Sequence, residues 1–267
     1  MVLAVLAGVS FTIVRDAGSS LSQEARWAEA RKLLAEGDAI AAKSAFEQLQ
    51  TEFPKEPDLY LFLGISQLRL RNPDAAVVAI KKAIDLDPNH IEARTLLGWI
   101  DLEVRGDADA AIGEYAKVVE IRPDSPQAHV NLGVAYKKKG ELNSALENYN
   151  RAVELQGDYV EALSNRGWVY IEQEKWQEAR RDFDQALKVK PEDRGALQGL
   201  AQVLENTRDY AGAQRVLNRL NAESPNFVYW LQWGRLGLIR YWWILFLIAL
   251  AFLVKGRFMK ARTPTDG

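Results

Sequence analysis

Residues 131–155 of the chain, NLGVAYKKKGELNSALENYNRAVEL, contain a spacing that runs through most of the sequence. In this stretch Ala145 follows Gly133 by twelve residues, and Tyr149 follows Ala145 by four. The alanine recurs along the chain at steps of 34, 35, 34, 34 and 34 residues. Its six copies are Ala42, Ala76, Ala111, Ala145, Ala179 and Ala213. Such a regular step predicts stacked supersecondary units rather than one globular core.

The residues around each alanine predict two packed helices. A small residue stands twelve or thirteen positions earlier and lets two helices cross closely: Ala30, Gly64, Gly98, Gly133, Gly167 or Ala201. A large residue follows by four positions on the same helical face: Phe46, Ile80, Tyr115, Tyr149, Phe183 or Leu217. Twelve residues after the alanine, a proline, or Gly157 in one unit, closes the unit, because both residue types end helices.

This spacing resembles the tetratricopeptide repeat over about residues 23–227. The resemblance implies an all-α fold, a right-handed α-solenoid of six helix-turn-helix repeats with a concave face. The predicted repeats are 23–56, 57–90, 91–125, 126–159, 160–193 and 194–227. One residue is extra between Gly98 and Ala111, and we place it in a longer turn at 105–110, RGDADA.

In this family the first helix of each repeat faces the concavity. The second, fifth, sixth, ninth and twelfth residues of the repeat usually line it, and we name these the groove positions. Here they include Trp27, Leu61, Phe62, Ile65, Thr95, Trp99, Val130, Asn131, Val134, Ser164, Asn165 and Trp168. Large apolar side chains at a concave surface indicate a peptide-binding face.

The asparagines at the groove positions predict contacts with a peptide main chain. Asn131 and Asn165 stand 34 residues apart, and a carboxamide both donates and accepts hydrogen bonds. The alternative is that they only solvate the groove. Some family members clamp a terminal carboxylate with cations at neighbouring positions, but Trp99 and Glu161 stand there in this chain. An apolar or mixed peptide is therefore favoured.

From residue 227 onward the chain becomes strongly apolar and aromatic. The uncharged run Tyr241–Val254 has fourteen residues, about 21 Å as a helix against a hydrocarbon core of roughly 30 Å. Counting from Leu236, with Arg240 reaching the headgroups, gives nineteen. We predict a lead-in helix at 228–240 that also caps the last repeat, the core of a transmembrane helix at 241–254, and a basic tail at 255–267.

Aromatic and basic residues flank this run as they do in membrane-spanning helices. The predicted membrane-interface residues are Trp230, Trp233, Arg240, Trp242, Trp243, Lys255 and Arg257. Four basic residues after the run, against Arg235 and Arg240 before it, favour a cytoplasmic tail and extracytoplasmic repeats. The alternatives are a tail anchor with cytosolic repeats, an in-plane anchor, and a helix docked on the repeats.

Residues 1–22 form a short hydrophobic segment, Val2–Val14, followed by a linker. Thirteen residues are too few to span a bilayer, and no cationic region precedes them as in a signal peptide. Three interpretations stay open: the end of a signal anchor, a short tucked helix, or a second contact with the bilayer.

Composition excludes several classes of function. The chain has no cysteine, and its two histidines, His90 and His129, have no partner at ligand spacing, so we expect no metal site and no cofactor. Residues 228–267 carry a net charge of +5, which leaves −7 of the total −2 on the remainder, and this acidic body argues against nucleic acid. Because no nucleophile elbow or phosphate loop occurs, we expect no enzymatic activity.

These features together predict a membrane-anchored scaffold or assembly factor. Its partners would be other proteins, bound as peptide segments or as membrane-complex subunits, and the lipid bilayer. The alternatives are a self-assembling membrane coat, in which the chain forms a homo-oligomer, and an organelle receptor with a cytosolic repeat domain.

Overall fold

The chain is helical where its structure is described. This computed structural model describes residues 20–223 and 227–260, with side chains for 23–222, 228–241, 243, 244 and 247. Within those residues the backbone forms thirteen α-helices and no strand. They are α1 (Ser20–Glu36), α2 (Ala39–Glu52), α3 (Pro57–Arg69), α4 (Pro73–Leu86), α5 (Ile91–Trp99), α6 (Ala108–Ile121), α7 (Pro126–Lys139), α8 (Leu142–Leu155), α9 (Val160–Glu172), α10 (Trp176–Val189), α11 (Arg194–Asn206), α12 (Tyr210–Glu223) and α13 (Phe227–Lys260). The apolar segment Val2–Val14 lies outside the described residues.

Helices α1 to α12 pack in consecutive pairs, so that each pair forms one helical hairpin. Each hairpin falls within one predicted repeat, although α1 begins at Ser20, before residue 23. By its contacts the chain divides into two compact units, residues 1–155 and 156–267. The first unit contains α1 to α8, where α2 packs on α3, α4 on α5, and α6 on α7. The second contains α9 to α13, where α11 packs on both α9 and α10.

The turn inside every hairpin contains one residue with left-handed backbone conformation. At these positions φ ranges from 58° to 93°. The residues are Gly37, Arg71, Gly106, Gly140, Glu174 and Arg208. In four turns the next side chain accepts a hydrogen bond from a backbone amide in the first turn of the second helix, which stabilises the helix start. These capping residues are Asp38, Asn72, Asp107 and Asp209.

The repeated residues form the packed interior. All six alanines of the register are completely buried. In the fourth and fifth repeats the large residue that follows the alanine packs directly on the small residue of the first helix: a Cβ added to Gly133 would lie 2.6 Å from Tyr149 Cε1, and one added to Gly167 would lie 2.8 Å from Phe183 Cε1. The glycines are therefore needed for close approach of an aromatic ring within the hairpin.

The extra residue of the third repeat lies inside a helix. Helix α5 continues as a π-helical segment, Ile100–Val104. Gly98 and the left-handed Gly106 are separated by eight residues, one more than in the other repeats, whereas Gly106 and Ala111 keep the usual five. A π turn accommodates one additional residue. The prediction of a longer turn at 105–110 is therefore wrong.

A charged histidine joins the second and third repeats within the first unit. His90, 7% exposed, precedes α5. Its Nε2 atom lies 3.1 Å from Asp58 Oδ1, and its Nδ1 atom lies 3.3 Å from Glu92 Oε2. Burial opposes protonation, but hydrogen bonds to these carboxylates raise the pKa of His90 to about 9. The imidazolium therefore donates to both carboxylates, and the Ala93 amide, 3.5 Å from Nδ1, cannot donate to that nitrogen.

Helix α13 begins directly after the last repeat and packs against α12 in the second unit. Leu236 is completely buried at this contact. On α12, Gln214 Nε2 donates to the carbonyl oxygen of Trp233 at 3.4 Å, and Gln214 Oε1 accepts from Arg240 at 3.4 Å. The first part of α13 therefore packs on the last repeat.

Candidate functional site

The side chains at the groove positions of the first two repeats pack against other residues of the first unit. Phe62 is 6% exposed and stacks on Phe46 with ring centroids 5.3 Å apart. Trp27, which is half-buried, meets both rings edge-on at 6.2 and 6.3 Å. Leu61 and Ile65 are each 4% exposed. These side chains hold α1, α2 and α3 together and leave little surface for a peptide.

The groove positions of the third and fourth repeats are also largely enclosed. Val130 is completely buried, so it offers no surface to a partner, and we replace its predicted groove role by a packing role. Asn131 is 8% exposed, and its Oδ1 atom accepts a hydrogen bond from Gln127 at 2.9 Å. Trp99 and Val134 are half-buried against neighbouring core residues. Peptide binding at Asn131, Trp99 and Val134 stays a prediction.

In the second unit, equivalent residues line an open cleft. The cleft has a volume of about 730 Å³ and lies between α9 and the segment that leads into α11. The predicted groove residues Ser164, Asn165 and Trp168 line it together, and all three are half-buried. The Oγ atom of Ser164 is itself buried and has no hydrogen-bond partner among the described residues. The accessible groups are therefore the Asn165 carboxamide and the Trp168 ring.

Charged residues at the rim give the cleft an acidic character. Asp158, Glu161 and Asp193 contribute carboxylates, while Lys190 contributes one ammonium group, 3.7 Å from Asp193. Tyr159 donates from its hydroxyl to Glu161 Oε2 at 3.4 Å. Burial and then the charge of Glu161 raise the pKa of Tyr159, so this hydroxyl stays a donor at neutral pH.

The wall of the cleft is held by a buried ion pair inside the fifth hairpin. Arg166 on α9 donates from Nε and Nη2 to the two carboxylate oxygens of Asp182 on α10, at 2.8 and 2.7 Å. Burial opposes the charge, but the hydrogen bonds with Asp182 raise the pKa of Arg166. Trp168 packs edge-on against Phe183, with ring centroids 5.9 Å apart. The bidentate pair between Arg166 and Asp182 and the ring contact between Trp168 and Phe183 hold α9 against α10, and so fix the wall of the cleft.

The last repeat uses its groove positions differently, and sequence reasoning missed this. Gln198 and Gln202 on α11 follow Ser164 and Trp168 by one repeat. They line a second cleft, of about 400 Å³, whose other wall is the start of α13. Trp168 lines both clefts. The repeat register contained the signal, because it places these glutamines at groove positions.

The predicted membrane-interface residues divide into two groups. Trp230, Trp233, Arg240 and Trp243 are exposed on α13. Trp242, Lys255 and Arg257 belong to α13, but their side chains are not among those that the structure describes. The same is true of most side chains in the run 241–254. In the part of the chain that the structure describes, no helix is both long and apolar enough to cross a membrane.

Family comparisons agree with the hairpin geometry. Family profiles described as tetratricopeptide repeat match residues 124–192 and, separately, residues 33–100 and 170–232. A profile described as TPR repeat matches residues 105–140. The chain belongs to the tetratricopeptide repeat proteins, a class of helical repeat proteins that bind other proteins. No curated relative matches the chain in sequence.

Solved structures show the same fold. PilF of Pseudomonas aeruginosa is 14% identical, with a TM-score of 0.69 over 82% of this chain and 99% of that chain. PilW, a type IV pilus biogenesis factor, is 16% identical, with a TM-score of 0.68 over 77% and 95%. MamA from Desulfovibrio magneticus RS-1 is 20% identical, with a TM-score of 0.57 over 64% and 96%. At these identities the similarity shows the fold alone.

Proposed function

We propose that this chain is a scaffold or assembly factor without enzymatic activity, which binds a peptide segment of a partner protein in the cleft of the second unit. The supporting observation is the cleft itself, in which Asn165 and Trp168 stand side by side at accessible groove positions. A half-buried tryptophan supplies apolar contact area, and a carboxamide pairs with a peptide main chain. PilW, one of the structural neighbours, is a biogenesis factor, which is a role of the same kind.

The lining of the cleft indicates the chemistry of the client. An apolar side chain fits against Trp168, while a basic side chain fits the rim, where three carboxylates face one ammonium group. A free terminal carboxylate would be repelled by this rim. The proposed client is therefore an internal segment of mixed character, with an apolar residue and a lysine or arginine close together.

Site-specific photocrosslinking tests this proposal. A photoreactive amino acid at Asn165 should crosslink the client, whereas the same group at Arg180, which is exposed on α10, should not. A synthetic segment of the crosslinked protein should then bind the wild-type chain and lose affinity on Trp168→Ala. Equal crosslinking from both positions would place recognition elsewhere on the protein.

We further propose that the C-terminal segment attaches the repeats to a membrane. The support is the apolar run Tyr241–Val254 with its flanking basic residues, together with the exposed side chains of Trp230, Trp243 and Leu247 on α13. Deletion of residues 228–267 should release the protein from carbonate-washed membranes. If attachment instead depends on residues 1–16, the anchor lies at the other end of the chain.

The orientation that we propose places the repeats on the extracytoplasmic side and the basic tail in the cytoplasm. The excess of basic residues after the apolar run supports it. Protease added to intact spheroplasts or vesicles of known sidedness should digest the repeats from outside. Protection of the repeats in that experiment would favour a tail anchor with cytosolic repeats.

A further inference from the structure

The groove positions of the last repeat are occupied by the chain's own helix α13. Gln198 and Glu205 on α11 stand at the fifth and twelfth positions of repeat 194–227. Gln198 Nε2 donates to the hydroxyl of Tyr229. Glu205 accepts a hydrogen bond from Gln232 Nε2 at 3.0 Å, and it also forms an ion pair with Arg235. The positions that would contact a client peptide therefore contact α13 instead.

The contacting residues lie on one face of α13. Tyr229, Gln232 and Arg235 follow one another at intervals of three, and the buried Leu236 continues the same face. The opposite side is apolar and exposed: Trp230 is 59% exposed, and Leu238 is 62% exposed. A helix docked by the hydrophobic effect alone would turn its apolar side inward. Here three polar residues make the contact together with Leu236, so side-chain hydrogen bonds and an ion pair add specificity to the docking.

We propose that the face of α11 formed by Gln198, Gln202 and Glu205 is a helix-binding site, and that its resident ligand is the start of α13 in the same chain. The ligand class is a helix that presents tyrosine, glutamine and arginine at successive intervals of three. While α13 is docked, its side chains take the hydrogen-bonding groups of Gln198 and Glu205, which leaves the cleft beside α9 as the site proposed for the client. The inference does not depend on client binding in that cleft or on membrane attachment.

Competition by a peptide tests the site in the full chain. The probe is a fluorescein-labelled peptide of residues 227–240 in which the outward-facing Trp230, Leu231 and Leu238 are replaced by Gln. In detergent micelles it should bind poorly to the wild-type chain, whose site is occupied. Arg235→Glu places a second carboxylate opposite Glu205 and loosens the resident helix. The peptide, which retains arginine, should then bind at least tenfold more tightly.

A charge swap supplies the matched control. In the double variant Arg235→Glu with Glu205→Lys, the resident helix regains an ion pair and the peptide meets a repelling lysine. Peptide affinity should therefore return to the wild-type level. Equal peptide affinity for all three proteins would overturn the proposal.

Hydrogen exchange gives a readout that does not involve the peptide. Backbone amides of residues 230–240 should exchange faster in Arg235→Glu and regain protection in the charge-swap variant. The protection in the wild-type chain should not change on tenfold dilution, because the ligand belongs to the same molecule. Loss of protection on dilution would show that a second copy supplies α13, and the assignment to the same chain would be wrong.

Discussion

The first and second units use the same groove positions for opposite purposes. In the first unit Phe62 and Val130 are buried and hold neighbouring helices together. In the second unit Asn165 and Trp168 line an open cleft. The register is the same, because each repeat places these residues on its first helix. The comparison shows that the register identifies the helix face, while the size of the neighbouring side chains decides whether that face is accessible.

Side-chain volume explains much of this difference. The fifth position of the repeat is Leu61 in the second repeat and Ser164 in the fifth. The larger leucine side chain fills the space between its own helix and the neighbouring one, whereas the smaller serine side chain leaves that space open. Gly195, which lines the same cleft from α11, adds no side chain. The cleft therefore lies where adjacent first helices each carry a small residue.

The largest effect is expected from removing the aromatic centre of the first unit. Phe62→Ala should lower the free energy of unfolding by about 3–5 kcal/mol, because the ring stacks on Phe46 and its loss leaves a cavity. Urea unfolding monitored by circular dichroism measures this change. The matched variant Trp168→Ala should cost clearly less, since its ring is half-exposed. Similar costs for both substitutions would mean that Trp168 is a core residue and not a binding residue.

A second difference is that both histidines of the chain belong to the first unit. The pKa of His90 is raised to about 9, so its stabilising contribution is complete below about pH 6.5 and is lost as the pH rises through 9. A shift of this size corresponds to at most about 3 kcal/mol. His90→Gln should remove this loss of stability between pH 6.5 and 9.

Urea unfolding at several pH values measures the His90 effect. Asp58→Asn is the control, because it removes one of the two carboxylates that raise the pKa of His90. In that variant the loss of stability should end at a lower pH and be smaller than in the wild-type chain, because the folded-state pKa of His90 is lower. If the wild-type chain and His90→Gln lose stability with pH in the same way, the contacts of charged His90 with Asp58 and Glu92 do not contribute to stability.

The third effect concerns binding in the second unit. Trp168→Ala should weaken the binding of the client segment by about 2 kcal/mol, or roughly thirtyfold, because it removes the apolar wall of the cleft. Trp99→Ala, at the same register position in the first unit, should leave binding nearly unchanged. Isothermal titration calorimetry with the crosslinked segment measures both. A larger loss from Trp99→Ala would move the client to the first unit.

The hairpins were predictable because their defining contacts are close in sequence. Gly133 and Tyr149 pack together within one repeat, so their spacing carries the geometry directly. The extra residue was misplaced because Ile100–Val104 contains neither glycine nor proline to mark an irregular helix. Sequence therefore located the insertion between Gly98 and Ala111 but could not decide between turn and helix.

The candidate site was only partly predictable. The register identified Asn165 and Trp168, but it could not separate them from Phe62 or Val130, since accessibility depends on packing against other helices. The contact between Glu205 and Arg235 was missed because a single polar pair has no period that a sequence scan detects. Polar pairs between helices are visible only once the helices are placed.

The smallest expected effect is a change in stability on substitution in the turn of a hairpin. It should be equal in the two units, because it depends on the backbone conformation of the turn alone. Arg71 in the first unit and Glu174 in the second both have φ of 58°, a conformation that costs a residue with a side chain roughly 1–2 kcal/mol. Both side chains are exposed, so little packing is lost on substitution. Glycine removes the strain but adds freedom to the unfolded chain, so Arg71→Gly and Glu174→Gly should each stabilise by about 0.5–1 kcal/mol.

Gly140→Ala is the control for this prediction. Gly140 has φ of 89° at the same turn position, so an added methyl group should destabilise the chain by about 1 kcal/mol. Urea unfolding of the three variants measures all of these changes. Equal gains for Arg71→Gly and Glu174→Gly would show that the register sets the turn identically in both units, even though it does not set the accessibility of the groove. A gain in only one unit would mean that neighbouring residues also determine the energy of the turn.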